Sequence, residues 1–340
     1  MPAPQHSTMT KSPAMYHVSL QRPDSLTPSP ARRGVRALYW LGALLLAASL
    51  IFVAAYAHRN WAMLAQVSIS NSKMLVLAIL LYAVSHFSTA LSWPFVLRGM
   101  SIPVSLRTGV QIGFVSQIGK YLPGNVAHYF GRATLAANSG VPLLSSGTST
   151  AVEIIAALFA AAIVGATALV IDPEAAQFLA LRLMNAFQAT TTILAALAAG
   201  VLALGTYLYW KRYSIVVVLA PTLFLAVSFT LSGLSFAALL ASIDATSPTA
   251  TIIALFVVAW VIGFIVPGAP AGIGIREAIL IGFLAPQIGG GPALACSLLH
   301  RVLTAGVDAA VAIFGYTWLH LSKKKKSAKD VLSGSPTSQG

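Results

Sequence analysis

The sequence predicts an all-α membrane protein, a polytopic helix bundle of about eight transmembrane segments with broken or re-entrant helices. Of its 340 residues, 57% are hydrophobic and only 9% are charged, whereas soluble globular domains carry roughly 25% charged residues. A chain this apolar cannot cover a water-facing surface, and the hydrocarbon of a bilayer is the solvent that suits it. Several apolar runs are also long enough to cross a bilayer as helices.

Long apolar runs set the positions of the predicted transmembrane helices. Such runs can cross, or nearly cross, roughly 30 Å of hydrocarbon at 1.5 Å per residue, and they lie at 37–57, 74–97, 143–171, 187–209, 214–240, 249–266 and 293–319. The run at 37–57 is too long for a signal peptide and indicates an uncleaved anchor. Two shorter stretches, 108–122 and 275–288, are ambiguous between thin spans and re-entrant segments.

Basic residues at both ends predict how the chain crosses the membrane. Three arginines in 32–36 precede the first run and four lysines at 323–326 follow the last. Because cytoplasmic loops are enriched in Lys and Arg, we expect both termini in the cytoplasm and the protein in the cytoplasmic (inner) membrane. Two cytoplasmic termini require an even number of crossings, but the long runs number seven, so one of the two short stretches must also cross. We expect 275–288 to cross and 108–122, with the residues after it, to enter the membrane and return to the same side.

Composition divides the chain into three parts. Residues 1–34 are rich in Pro, Ser, Thr and Gln and predict a disordered cytoplasmic tail. An integral membrane domain follows at 35–321, and a basic, disordered cytoplasmic tail is expected at 322–340. The net charge of +13 agrees better with membrane topology than with nucleic-acid binding, which needs a basic face on a folded domain. We expect no nucleic-acid partner.

Two segments rich in Gly and Pro, at 119–132 and 266–277, interrupt the apolar background. Both read Pro-Gly-x7-Arg-x9-Pro when the following proline is included, with the arginines at 132 and 276. The shared spacing is either a coincidence or the trace of an internal repeat. Many transporters consist of two such halves, and their paired helix breaks mark the binding site.

These breaks predict a site for an anion. Pro and Gly free backbone polar groups, which must line a cavity or pack within the protein, and a helix that restarts there presents a partly positive N-terminus. Lys120, Arg132 and Arg276 add full charges, so a phosphate or phosphodiester headgroup is the natural ligand. The predicted substrate-binding residues are Lys120, Tyr121, Pro123, Gly124, Arg132, Glu153, Pro267, Gly268, Gly272, Gly274, Arg276 and Glu277. The glycines beside Arg276 suggest close approach by something other than a side chain.

Acidic residues are rare in this chain, so their positions are informative. Glu153 and Asp308 lie within long apolar runs, and Glu277 begins a short one. A charge in the membrane costs at least about 2.5 kcal/mol unless it is paired. Glu153 is therefore expected to pair with Arg132 or with Arg276. Asp308 follows Arg301 by two helical turns and shares its face. Two interpretations stay open: structural ion pairs, or groups that couple protons or recognise a headgroup amine.

The two broken segments resemble the membrane region of lysylphosphatidylglycerol synthases and their stand-alone relatives. The string at 267–277 is similar to the family's Pro-Gly-Gly-x-Gly-x-Arg-Glu signature, although Ala269-Pro270 replaces the usual glycine pair, and 119–124 with Gly131-Arg132 is similar to its other hallmark. The resemblance covers 37–320 and implies a lipid flippase. The cytosolic domain that performs aminoacyl transfer in the synthases is expected to be absent, because the chain ends soon after its last span.

We therefore expect a lipid flippase or transporter that moves a lipid with an anionic headgroup across the cytoplasmic membrane. The resemblance suggests a phospholipid, a polyprenyl-phosphate-linked lipid or a hopanoid-type lipid. The alternatives are a membrane-embedded transferase and an accessory scaffold in lipid or lipid-linked glycan biosynthesis, which would have a separately encoded enzyme as its partner. We expect no catalytic residue, no cofactor and no metal site, since the histidines lack ligand spacing.

Overall fold

The computed structural model describes, apart from single residues within these ranges and a few isolated ones outside them, residues 61–121, 127–174, 215–265 and 272–332. The N-terminal tail at 1–34 and nearly all of the predicted spans at 37–57 and 187–209 lie outside the described residues. Within the described ranges the chain is helical and contains no strand. The helices are α1 (Trp61–Leu64), α2 (Ser72–Gly99), α3 (Leu106–Ser116), α4 (Ala127–Ala137), α5 (Leu143–Ile171), α6 (Val216–Ser242), α7 (Thr249–Ile265), α8 (Ile275–Ile288) and α9 (Gly290–Leu332).

The helical membrane bundle predicted from composition is confirmed. By length and apolar composition, α2, α5, α6 and the portion Gly290–Ser322 of α9 could each cross a membrane. These four helices fall on the predicted spans at 74–97, 143–171, 214–240 and 293–319. Helix α7 is apolar but has only 17 residues, which gives it a length of about 25 Å at 1.5 Å per residue.

The surface of α2 shows which way the helices face. Val76, Leu80, Val84 and Phe87 recur at helical spacing, and each side chain is exposed. The opposite face buries the polar side chains of α2, namely Tyr82, Ser85, His86, Ser88 and Ser92. Apolar groups outside and polar groups inside is the arrangement expected when lipid is the solvent, because an unpaired polar group in hydrocarbon is costly.

Hydroxyl side chains join α2 to α6. Thr89 and Ser228 share a hydrogen bond of 2.7 Å between their hydroxyl oxygens. Ser232 donates to the hydroxyl of Ser85 at 3.1 Å, and Ser88 donates to the carbonyl oxygen of Phe224 on α6. Small polar residues let membrane helices approach closely, so this seam fixes the position of α2 against α6.

The two interrupted segments have similar element orders. The 3-10 helix Gln117–Tyr121 continues α3, a gap of undescribed residues follows, and α4 comes next. In the second segment α7, an undescribed gap and α8 follow in the same way. A glycine of positive φ, Gly140 or Gly289, then precedes a long helix, α5 or α9. This order is compatible with an internal repeat, whose two-fold superposition remains a prediction.

The second proline of the shared spacing is not equivalent in the two halves. Pro142 is the N-terminal cap of the long helix α5, whereas Pro286 lies inside the short helix α8. Arg132 and Arg276 therefore lie on corresponding short helices, α4 and α8, whereas the two prolines of the x9-Pro part lie on different elements. Helix α8 has 14 residues, or about 21 Å, which is shorter than the hydrocarbon core. The predicted crossing by 275–288 therefore remains a prediction.

The last helix is longer than the sequence predicted. Helix α9 continues through the lysines at 323–326 and ends at Leu332, where a disordered tail from 322 was expected. Lys and Ala are favourable helix formers, so the basic run extends the preceding helix. Of the predicted tail, 333–340 lie outside the described residues.

Candidate functional site

A cavity of about 190 Å³ lies where the two interrupted segments meet. Six of the predicted site residues line it: Lys120, Tyr121, Arg132, Glu153, Arg276 and Glu277. They come from the 3-10 helix and from α4, α5 and α8, so elements far apart in the sequence contribute to one cavity. The cavity also carries aromatic and hydroxyl side chains of α2, α6 and α7.

The remaining predicted site residues do not line the cavity or lie outside the described residues. Pro123, Gly124, Pro267 and Gly268 lie outside the described residues. Gly272 contacts the side chain of Arg276, and Gly274 is the N-terminal cap of α8. For these two glycines the structure supports a role in positioning neighbours.

Arg132 is paired with Glu153. One guanidinium nitrogen lies 2.5 Å from a carboxylate oxygen of Glu153, and both residues are buried. Ser92 donates a hydrogen bond to the same carboxylate, and the guanidinium lies 5.0 Å from the ring centre of Trp93. Glu153 therefore takes the arginine of the first break, one of the two partners that the sequence allowed.

Both carboxylate oxygens of Glu277 accept hydrogen bonds. The backbone N–H of Gly274, which has a φ of +86°, donates to Oε2 at 2.7 Å, so Glu277 caps its own helix. Oε1 accepts from Nε of Arg301 at 2.7 Å and lies 2.6 Å from Nη2 of the same residue. The carboxylate thus neutralises part of the positive helix end that the sequence assigned to a ligand.

Asp308 is the centre of a polar cluster beside the cavity. It is fully buried, and Nζ of Lys120 lies 2.6 Å from its Oδ2. Tyr82 donates to Oδ1 at 3.3 Å, Nε2 of His86 contacts the same oxygen, and Tyr121 donates to Oδ2. Sequence reasoning missed Tyr82 and His86. Their spacing of four residues, which places both on one face of α2, is the signal that could have indicated them.

Arg301 and Asp308 do not pair with each other, although they share a face of α9 as predicted. Arg301 binds Glu277 at the start of α8, and Asp308 binds Lys120 in the 3-10 helix. Helix α9 therefore binds both interrupted segments: Asp308 pairs with the first and Arg301 pairs with the second. Each pairing joins residues that are distant in the sequence, so spacing within α9 alone could not identify the partners.

Arg276 lies in the cavity and has no anionic partner within the part of the chain that the structure describes. Among the described residues no carboxylate pairs with it, and its buried Nε has no hydrogen-bond acceptor. Its guanidinium lies 5.9 Å from the ring centre of Trp260. A β-carbon on Gly263 would come within 2.7 Å of Cγ of Arg276, and one on Gly272 would come within 2.7 Å of its Nε. The sequence predicted that something other than a side chain approaches Gly272 and Gly274. This prediction is wrong for Gly272, because the Arg276 side chain occupies that space.

The charges around the cavity do not cancel within the described residues. Three carboxylates are each paired with one cation, in the pairs Glu153–Arg132, Glu277–Arg301 and Asp308–Lys120. Arg276 adds one further positive charge if the histidines are neutral. In the described part of the chain, no group of three or more His, Cys, Asp or Glu residues is placed to hold a metal ion.

The family model described as lysylphosphatidylglycerol synthase TM region matches residues 40–312. The chain belongs to this family. The match contains both interrupted segments and every described cavity residue, and it confirms the resemblance seen in the sequence. It makes the chain a membrane protein related to lipid modification and flippase proteins. No curated protein matches the chain.

Proposed function

We propose that the protein moves lipids with an anionic headgroup across the cytoplasmic membrane, with both termini in the cytoplasm. The observation that carries this proposal is Arg276, a guanidinium in a membrane cavity that no carboxylate of the described chain neutralises. An unpaired charge away from water is costly. A transient anionic ligand offsets that cost when it binds and restores it when it leaves.

The chemistry of the cavity favours a phosphate group as that anion. A guanidinium binds two phosphate oxygens through parallel hydrogen bonds, which an ammonium cannot reproduce. Lys120 lines the same cavity and keeps part of its side chain exposed, 21% against none for Asp308. Lys120 and Arg276 together can therefore hold one phosphodiester, while Arg132 keeps Glu153 neutralised.

The size of the cavity favours a headgroup as the occupant. Its volume of about 190 Å³ is below the roughly 300–1,000 Å³ of pockets that enclose a drug-sized ligand. A phosphate with a small polar substituent fits such a volume, while acyl or polyprenyl chains stay in the surrounding lipid. The hydroxyl seam of Ser85, Thr89, Ser228 and Ser232, which lines the cavity, offers hydrogen bonds to a headgroup that moves along it.

Lipid movement in reconstituted vesicles tests the proposal. Purified protein is placed in vesicles with a fluorescent phosphatidylglycerol or phosphatidylcholine, and a membrane-impermeant reductant reports which leaflet holds the probe. We expect the protein to speed the movement of phosphatidylglycerol more than that of phosphatidylcholine. Rates equal to those of protein-free vesicles for all anionic lipids tested would contradict transport and favour a transferase or scaffold role.

A further inference from the structure

The two ring nitrogens of His86 have different surroundings. Its Nε2 contacts Oδ1 of Asp308, and its Nδ1 is buried and has no hydrogen-bond partner among the described residues. When Nε2 carries the proton donated to Asp308, Nδ1 presents a bare lone pair. Because this lone pair makes no hydrogen bond to the described residues, Nδ1 is the atom of a neutral His86 that can take up a further proton.

We propose that His86 binds a proton together with the anionic headgroup, so that lipid movement is coupled to proton movement. This inference rests on the proposed function and adds a co-transported ion to it. The proton comes from water in the cavity and binds Nδ1, which turns the imidazole into an imidazolium. The Nε2–H bond to Asp308 stays in place. The proton leaves from Nδ1 when the headgroup leaves.

Lys120 links the two binding events. Its ammonium lies 2.6 Å from Asp308, and its side chain is partly exposed in a residue that lines the cavity. A phosphate in the cavity attracts this ammonium and weakens its pairing with Asp308. A protonated His86 then supplies the positive charge that the buried carboxylate needs. Proton and anion therefore favour each other's binding, and the coupling is reciprocal.

The groups around His86 support this exchange of partners. Tyr82 lies one turn from His86 on the same helix, α2, and the centres of the two rings are 5.0 Å apart. The other titratable or charged groups that face the cluster come from the 3-10 helix, α8 and α9, and they are Lys120, Tyr121, Arg276, His300, Arg301 and Asp308. His86 and six of these seven groups line the cavity, while the seventh, Asp308, is fully buried, so a ligand charge acts on the whole cluster.

Calorimetric titration of the full-length protein with dihexanoylphosphatidylglycerol, a soluble phospholipid, tests the coupling. The observed binding enthalpy is measured in buffers of different ionisation enthalpy, and its slope gives the number of protons taken up. We expect uptake approaching about one proton per bound headgroup near pH 7, and a dissociation constant that falls by up to about tenfold per unit of decreasing pH. Binding with no proton uptake would overturn the inference and leave the proposed function standing. Absence of binding would overturn both.

Two variants assign the proton to one residue. His86→Gln places an amide nitrogen where Nε2 lies, so it keeps the donor to Asp308 but cannot gain a proton, and we expect headgroup binding without proton uptake. His300→Gln is the matched control, because His300 is another buried cavity histidine, and its Nε2 has no hydrogen-bond partner among the described residues. It should keep the uptake. Proton uptake that survives in His86→Gln, or that disappears in His300→Gln, would overturn the assignment to His86.

Discussion

Gly272 lies directly against the side chain of Arg276, since a β-carbon on Gly272 would lie 2.7 Å from Nε of the arginine and would have to displace it. Gly272 also has a φ of +69°, a conformation that L-residues adopt only at a cost and that glycine, which has no β-carbon, adopts freely. The glycine thus serves two purposes, a turn before α8 and a space for the guanidinium. The position of the Arg276 guanidinium in the cavity depends on this contact.

Gly272→Ala is expected to abolish most lipid movement while the protein remains in the membrane. The new methyl group displaces the guanidinium, and the left-handed backbone adds about 1–2 kcal/mol of strain. Gly140→Ala separates these two effects, because Gly140 has a φ of +83° and no neighbouring atom within 4 Å of the point where a β-carbon would lie. Similar lipid movement in the two variants would show that displacement of Arg276 has no effect.

Arg132→Ala is expected to lower stability, in contrast to Arg276→Ala. Its loss strands the buried carboxylate of Glu153, and breaking a buried pair in this way costs about 3–5 kcal/mol. Loss of Arg276 strands no carboxylate of the described chain. Thermal unfolding in detergent should therefore show a lower midpoint for Arg132→Ala, and Arg132→Ala with Glu153→Gln should recover part of it. Equal midpoints for the two single variants would contradict the assignment of partners.

Both termini are expected on the cytoplasmic side, because basic residues flank the first and last apolar runs. Reporter enzymes that are active only outside or only inside the cytoplasm, fused after Lys326 and before residue 32, measure this directly. An externally active fusion at either end would contradict the cytoplasmic placement of that terminus, and at one end alone it would also contradict an even number of crossings.

Residues 108–142 and 252–286 are expected to superpose by a two-fold rotation, since both contain a break, a short helix with an arginine and a similar element order. An experimental structure of the protein in lipid measures the rotation. The match should hold at Arg132 and Arg276 and should fail at Pro142 and Pro286, which occupy different elements. A rotation axis far from two-fold would contradict the repeat.

The sequence predicted the long helices well and the contacts between them poorly. Helix α5 was predictable because an unbroken apolar run has one stable form in lipid, and the break before α8 followed from its Pro and Gly residues. The partners of Asp308 were missed because they lie far away in the sequence, His86 by 222 residues, where no local spacing applies. The Gly274-to-Glu277 spacing, by contrast, is a local capping pattern that could have been found.

The central claim is that Arg276 binds the lipid anion, and the measurement that tests it most directly is phosphatidylglycerol movement by Arg276→Ala in vesicles, at matched amounts of folded protein. We predict a rate about 10- to 100-fold below that of the natural protein, which corresponds to the roughly 1.5–3 kcal/mol of a hydrogen bond to a charged group. Arg276→Lys should recover little of the lost rate, because an ammonium lacks the planar pair of N–H donors with which a guanidinium binds two phosphate oxygens. A folded Arg276→Ala protein that moves phosphatidylglycerol at the natural rate would contradict the account.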